Sequence, residues 1–303
     1  MGYSLPVPYE HQVATPGQQR RSNQMATANV NGVELYYEEH GSGPPILFHH
    51  GFTGSHDGWV PIAERLQDRF RCILMDSRGA GDSEHPADGY TIEQYAKDVV
   101  GMLDHLGLDQ VAYVGHSMGG GIGFQLGIEH GERFTHIMLV TPISADGYEP
   151  DPVVSARGRQ LRVDGDRETL IRERKTGIAR EELIDDDEVA EAVDRSLSTS
   201  DGHYDDGMVA MATLRLGDRL SEMTTPTLMI TAAADFLIEA NLRDYQRLPN
   251  ASLHVFSRVA HGVQGEVPDE FAEVVADFAT HGVVNAQTLA DRLAAVQAEA
   301  AAV

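Results

Sequence analysis

Val111-Ala112-Tyr113-Val114-Gly115-His116-Ser117-Met118-Gly119-Gly120-Gly121 is the stretch on which the reading of this chain turns. The short apolar run Val111–Val114 reads as a buried strand, and the glycine-broken apolar stretch through Ile128 reads as a helix. Ser117 lies between them, with glycine two residues before it and two after. A strand that turns sharply into a helix forces its central residue into a strained backbone, and larger neighbours would collide there. The gain is a hydroxyl held out over the sheet, with a helix N-terminus beneath it that favours negative charge. Gly-x-Ser-x-Gly alone arises by chance in a chain this rich in glycine. Its strand-turn-helix setting makes it informative.

The same alternation continues on both sides. Val33–Glu38 has the β-branched and aromatic content of an early strand, and Gly41–Pro45 supplies the turn after it. Ile46–His49, Ile73–Met75, His136–Val140 and Thr227–Ile230 are further short apolar runs, and Ser252–Phe256 alternates. Trp59–Leu66, Tyr90–Leu106 and Phe271–Phe278 have helical spacing, with Ile92, Tyr95, Val99, Met102 and Leu103 on one face of the second. Short continuous strands alternating with helices predict an α/β fold, a mostly parallel central sheet flanked by helices. The alternation breaks over 143–220, which predicts a helical cap insertion, since a structureless link of that length does not suit a compact domain. Within it, Asp185-Asp186-Asp187-Glu188 reads as a helix start with acids near the positive dipole end, rather than a metal site. The expected organisation is thus an arm over 1–24, a core over 25–142 and 221–282, the insertion 143–220, and a last helix over 283–303. Leu289, Leu293 and Val296 fall on one face of that helix, which predicts packing on the body or on another subunit.

Composition narrows the classes. The 303 residues are 42% hydrophobic and 23% charged, enough apolar material for a core. The net charge of −24 repels phosphate backbones and argues against nucleic acid as a partner. Lys97 and Lys175 are the only lysines, a bias that codon usage explains as well as salt adaptation does. Cys72, the single cysteine, forms neither an internal disulfide nor a multi-cysteine metal site. No apolar stretch reaches the roughly 20 residues needed to span a bilayer, and residues 1–24 lack the apolar core of a secretory signal, so a cytoplasmic protein is expected.

At this point the chain resembles the α/β-hydrolase fold family, over about residues 27–281. His50-Gly51-Phe52 ends a strand where that family builds half of its oxyanion hole. Asp76-Ser77-Arg78-Gly79-Ala80-Gly81-Asp82-Ser83 matches the family's D-x-R-G-x-G-x-S turn. Asp235 follows the strand Thr227–Ile230, and His261-Gly262 follows Ser252–Phe256, where the family's acid and histidine sit. The resemblance implies a catalytic triad of Ser117, Asp235 and His261, with the Phe52 and Met118 backbone N–H groups as oxyanion hole. Asp146, after His136–Val140, is the rival acid; Glu239 falls in a helix, and His254 within a strand.

Several other residues have plainer readings. His49 and His50 are adjacent on a strand, so they point to opposite faces and cannot easily chelate one ion. The His50 ring reads as a structural hydrogen-bonding group near the hole, and Arg78 as a tie between loops. Met208, Met211, Leu214 and Leu216 read as the core of the insertion, or as an adaptable apolar wall for a substrate. The expected reaction is hydrolysis of a small-molecule carboxylic ester or lactone through an acyl-enzyme, with no cofactor and no metal. The alternatives are a carbon–carbon bond hydrolase of the same fold, weakened by His116 where those relatives often carry Asn, and a non-catalytic binding protein. A serine at the elbow argues against the dehalogenase and epoxide-hydrolase relatives, which use Asp there. Self-association is left open.

Overall fold

A computed structural model describes residues 24–180, 182 and 184–301. The arm expected over 1–24 therefore lies, except for Gln24, outside the described residues. In chain order the elements begin with β1 (Gln24–Val30), β2 (Val33–Gly41), β3 (Pro45–His49), α1 (Val60–Leu66), β4 (Arg71–Met75) and α2 (Ile92–His105). Next come β5 (Val111–His116), α3 (Met118–Glu129) and β6 (Phe134–Val140). Four helices follow without a strand: α4 (Pro152–Asp164), α5 (Arg167–Lys175), α6 (Asp186–Ser198) and α7 (Asp201–Thr213). The chain then returns through β7 (Thr227–Ala232), α8 (Ile238–Tyr245), β8 (Ala251–Phe256), α9 (Val263–Glu266), α10 (Pro268–His281) and α11 (Ala286–Ala301).

Among the described residues eight strands form one sheet in the order β1-β2-β4-β3-β5-β6-β7-β8. β1 and β2 pair antiparallel, as do β2 and β4, and every pairing from β4 to β8 is parallel. The sheet separates two apolar layers. One packs α2 and α3 against side chains such as Leu47, Ile73 and Tyr113; the other packs α1 and α10 against Phe48, Leu74 and Val114. Alternate residues of β3 and β4 feed opposite layers, as a period of two requires. Both faces are covered, which is why these strands read as unbroken apolar runs.

The sequence reading missed β1. Its residues mix Ala, Thr and Asn because it is an edge strand with one face toward water. The signal that finds it is Asn31-Gly32: both have positive φ, 52° and 79°, and Val30 pairs with Val33 across them. Asn-Gly at two consecutive left-handed positions is the preferred two-residue hairpin turn.

Two further expectations change. Met211, Leu214 and Leu216 are buried, but in the same apolar layer as α2 and α3, so they join the insertion to the main core. Leu289, Leu293 and Val296 on α11 are 54%, 59% and 62% exposed, so that face does not pack on the body. The acidic run is a helix start: the Asp185 side chain accepts from the Asp187 N–H and caps α6. No helix among the described residues is long and apolar enough to cross a membrane.

Candidate active site

Ser117 stands between β5 and α3 with φ 54° and ψ −111°, a conformation that costs about 1–3 kcal/mol unless its surroundings enforce it. They do. The Ser117 N–H donates to the Val140 carbonyl (2.9 Å), and its own carbonyl accepts from Ile143 N (3.1 Å) and Gly121 N (3.0 Å). The flanking glycines are obligatory. A Cβ on Gly119 would sit 2.7 Å from the carbonyl oxygens of both His49 and His50, and one on Gly115 would collide with the Gly119 backbone. Met118 N–H opens α3 and so has no acceptor within the helix.

The second expected donor is fixed from behind. His50 Nε2 accepts from the Ser77 N–H (3.0 Å), so the ring's proton is on Nδ1, which donates to the Gly51 carbonyl (2.8 Å). Burial is the main cause holding this imidazole below its ordinary pKa, in keeping with a neutral ring. Gly51 C=O and Phe52 N–H are the two ends of one trans peptide, so anchoring the oxygen turns the N–H the opposite way. The plain reading of His50 as a structural group is what the contacts show.

Asp235 and His261 come together across 26 residues, with His261 Nδ1 3.1 Å from Asp235 Oδ1. Asp235 is buried, and its Oδ1 also accepts from Leu237 N (3.3 Å). The His261 main chain is held as well: its carbonyl accepts from Thr141 Oγ1 (3.0 Å) and faces His116 Nε2 (2.9 Å). His116 is pushed down to about 3, first by burial and then by the neighbouring His261, so it is neutral and donates through Nε2. The His261 ring lies between the rings of His116 and Phe236, each 4.9 Å away. Asp146, the rival acid, is elsewhere: it pairs with Arg247 at 2.5 Å on the surface.

The D-x-R-G-x-G-x-S turn ties loops together. Arg78 forms a two-bonded buried pair with Asp98 (2.6 and 2.8 Å). The carbonyl of Gly79 accepts from Ser200 N (2.8 Å), at the start of α7. His203 of α7 is fully buried, its Nδ1 2.7 Å from Tyr95 Oη and 3.1 Å from the Arg78 carbonyl. The Phe52 ring stacks on His203 (5.8 Å) and meets Tyr204 (5.3 Å). Tyr148, at the entry to the insertion, meets Phe236 (5.6 Å). Sequence reasoning missed this aromatic contact between insertion and core, because its partners lie far apart in the chain.

His56, Asp76 and Asp82 are close enough together to hold a metal ion. Their bonds point elsewhere. Asp76 already accepts from His56 N (2.6 Å), His56 Nδ1 (2.8 Å) and Asp82 N (2.8 Å). His56 Nε2 faces Glu38 and Asp57, each at 3.5 Å. Burial opposes the charged ring, yet the bond and charge of Asp76, with Asp57 and Glu38, outweigh it and raise the His56 pKa. The arrangement suits an imidazolium among carboxylates, whose nitrogens are donors and not metal ligands.

Comparison with known proteins places this architecture. The family model described as the alpha/beta hydrolase fold matches residues 44–167. The chain is an α/β-hydrolase-fold protein. Among solved structures, Est816, an N-acyl homoserine lactone degrading enzyme, is similar at TM-score 0.73 and 29% identity, over 83% of this chain and 99% of its own. The enol-lactonase from Burkholderia xenovorans LB400 is similar at TM-score 0.75 and 25% identity, over 84% and 100%. By sequence, RutD of Caulobacter sp. (strain K31), a candidate carbamate hydrolase by name, is 28% identical over 277 residues, 84% of this chain and 98% of its own. By name these proteins act on lactones or a carbamate, and this chain shares the α/β-hydrolase fold with the solved structures among them.

Proposed function

We propose that this protein is a serine hydrolase that cleaves a carboxylic ester or lactone through an acyl-enzyme. The observation that carries the reading is the Ser117 elbow at the head of α3, whose preceding residue His116 is bonded to the His261 carbonyl, together with the bond from His261 Nδ1 to buried Asp235. That bond leaves His261 Nε2 to take the Ser117 proton as the oxygen attacks the substrate carbonyl. Asp235 holds the tautomer and stabilises the imidazolium that forms. The oxyanion is received by the Met118 and Phe52 N–H groups, a term usually worth more than any other single contribution. His261 returns its proton to the leaving alkoxide, then activates a water that releases the acid. No cofactor enters this sequence.

Phe236 lies between His261 and Tyr148, and Phe52, whose N–H is assigned to the oxyanion, lies against Tyr204, so rings from both core and insertion stand near the proposed site. Such rings favour an apolar or flat acyl or alcohol part. The lactone degraders among similar structures support including cyclic esters. Carbon–carbon bond hydrolysis has one supporting observation. A 2-hydroxy-6-oxononadienedioate/2-hydroxy-6-oxononatrienedioate hydrolase of Dechloromonas aromatica is 26% identical over 273 residues, 82% of this chain and 91% of its own. Against it stands His116, whose Nε2 is already bonded to the His261 carbonyl.

The test is a burst measurement with p-nitrophenyl acetate, followed by fluorophosphonate labelling and mapping of the adduct. A burst with the label on Ser117 is expected. Turnover of a β-diketone at a higher kcat/KM than any ester or lactone would transfer the assignment to carbon–carbon cleavage.

A further inference from the structure

Glu266 closes α9, five residues beyond His261, and is buried at 2% exposure. A carboxylate in that position is costly unless its oxygens are satisfied. Its Oε1 accepts from Ala260 N (3.0 Å), next to His261. Its Oε2 accepts from Ala179 N and Arg180 N, both at 3.1 Å. Those two amides follow α5 in the insertion, 87 and 86 residues away in sequence. Burial raises the Glu266 pKa, while the three amides and the Arg180 charge pull it back.

The backbone around His261 is thus fixed on both sides. Its carbonyl is held by Thr141 and His116, and the N–H before it by Glu266. Among these hydrogen-bonding groups, and among the described residues, Glu266 alone also holds the insertion. We propose that Glu266 is a positioning residue that couples the seating of the insertion to the placement of His261, one carboxylate oxygen serving each loop. An insertion seated on the core completes the bonds of Glu266 and stiffens the Val259–Ala260 peptide that leads into His261. An insertion lifted away strands Oε2 without donors, so closure over substrate and readiness of the base are linked in both directions. The inference rests on the serine-hydrolase reading, since that reading makes the position of His261 matter to turnover.

Glu266→Gln tests it. The carboxamide keeps the shape but sets its NH2 against backbone N–H donors, so it cannot serve both loops. Expected are a loss of about 10- to 100-fold in kcat for p-nitrophenyl acetate, a KM within about threefold, and faster amide exchange at Ala179, Arg180 and Ala260 together. A substrate this small barely reaches the insertion, so the kcat loss reports on His261. Glu266→Asp keeps the charge but is one methylene short, and is expected to protect one loop only, with intermediate kcat. Turnover of Glu266→Gln within twofold of the parent would overturn the proposal. So would faster exchange at Ala260 while Ala179 and Arg180 stay protected. If Glu266→Gln does not fold, full protection of all three amides in Glu266→Asp would do the same. Exchange needs no substrate. A parent that hydrolyses no ester, with the three amides still opening together in the variant, would retire the serine-hydrolase reading and leave the coupling standing.

Discussion

The sheet and the helical insertion are held by different forces. Leu47, Phe48, Ile73 and Leu74 on β3 and β4 are completely buried, and the helices beside the sheet bury long apolar faces of their own. By contrast, α4 buries only Leu161, α5 only Thr169, and α6 only Val189 and Val193. The insertion relies instead on surface ion pairs: Arg157–Glu173, Arg159–Asp205, Arg167–Asp194 and Lys175–Asp186. Exposed pairs of this kind add little, because water screens them and ordering two long side chains costs entropy. Among the described residues its attachments to the core include α7 on the Arg78–Gly79 turn, the Phe52 and Phe236 ring contacts, Met211 and Leu214 in the main core, and Glu266 under the 179–180 loop. The lesson is a division of labour. The sheet gives rigid support to the loops that carry Ser117, Asp235 and His261, whereas much of the insertion buries few apolar side chains.

The sharpest break in that comparison is made at the elbow. Ser117→Ala is expected to abolish ester turnover while melting within a few degrees of the parent, because the strain there is enforced by backbone bonds the hydroxyl does not make. Turnover with p-nitrophenyl acetate and a thermal melt on the same sample check both halves. The next effect separates the two acids. Asp235→Asn is expected to lower kcat by roughly two to four orders of magnitude, the loss seen when a triad carboxylate is neutralised. Asp146→Asn, which loses only its surface pair with Arg247, is expected to cost less than about tenfold. Both are measured side by side; a crippled Asp146→Asn with a healthy Asp235→Asn would reverse the assignment.

A smaller effect compares the two regions by stability. Leu74→Ala leaves a cavity against the sheet and is expected to cost about 2–5 kcal/mol in denaturant unfolding. Leu161→Ala, in a helix with no other buried side chain, should cost less, since its surroundings can collapse or hydrate. Equal costs would mean the insertion is packed as tightly as the sheet. The smallest effect is one of salt. Raising ionic strength from about 0.05 to 1 M shortens the screening length several-fold. Amide exchange is then expected to speed up across 152–198 while β3, β4 and β5 hold their protection. Uniform exchange across both regions would erase the distinction.

The local features of this protein were legible in its sequence. Unbroken apolar runs announced strands covered on both faces, and Gly115-x-Ser117-x-Gly119 announced the elbow, because steric collision there leaves no alternative to glycine. The helix start at Asp185 was legible too, since capping is decided by neighbours in the chain. Strand β1 was not read, although its signal, Asn31-Gly32, is equally local; its mixed polarity hid it. What only the tertiary structure decided are the meetings of distant residues. The choice of Asp235 over Asp146 depends on which carboxylate reaches the His261 ring, and both follow strands of the same sheet. Met211 and Leu214 joined the main core and not a core of the insertion, because apolar residues specify burial but not the partner. The bonds from Glu266 to Ala260 (3.0 Å) and to the Ala179 and Arg180 amides (3.1 Å), 87 and 86 residues away, leave no periodic trace at all. Sequence patterns record what a residue's neighbours in the chain require, whereas long-range contacts are set by how the packed layers bring those segments together.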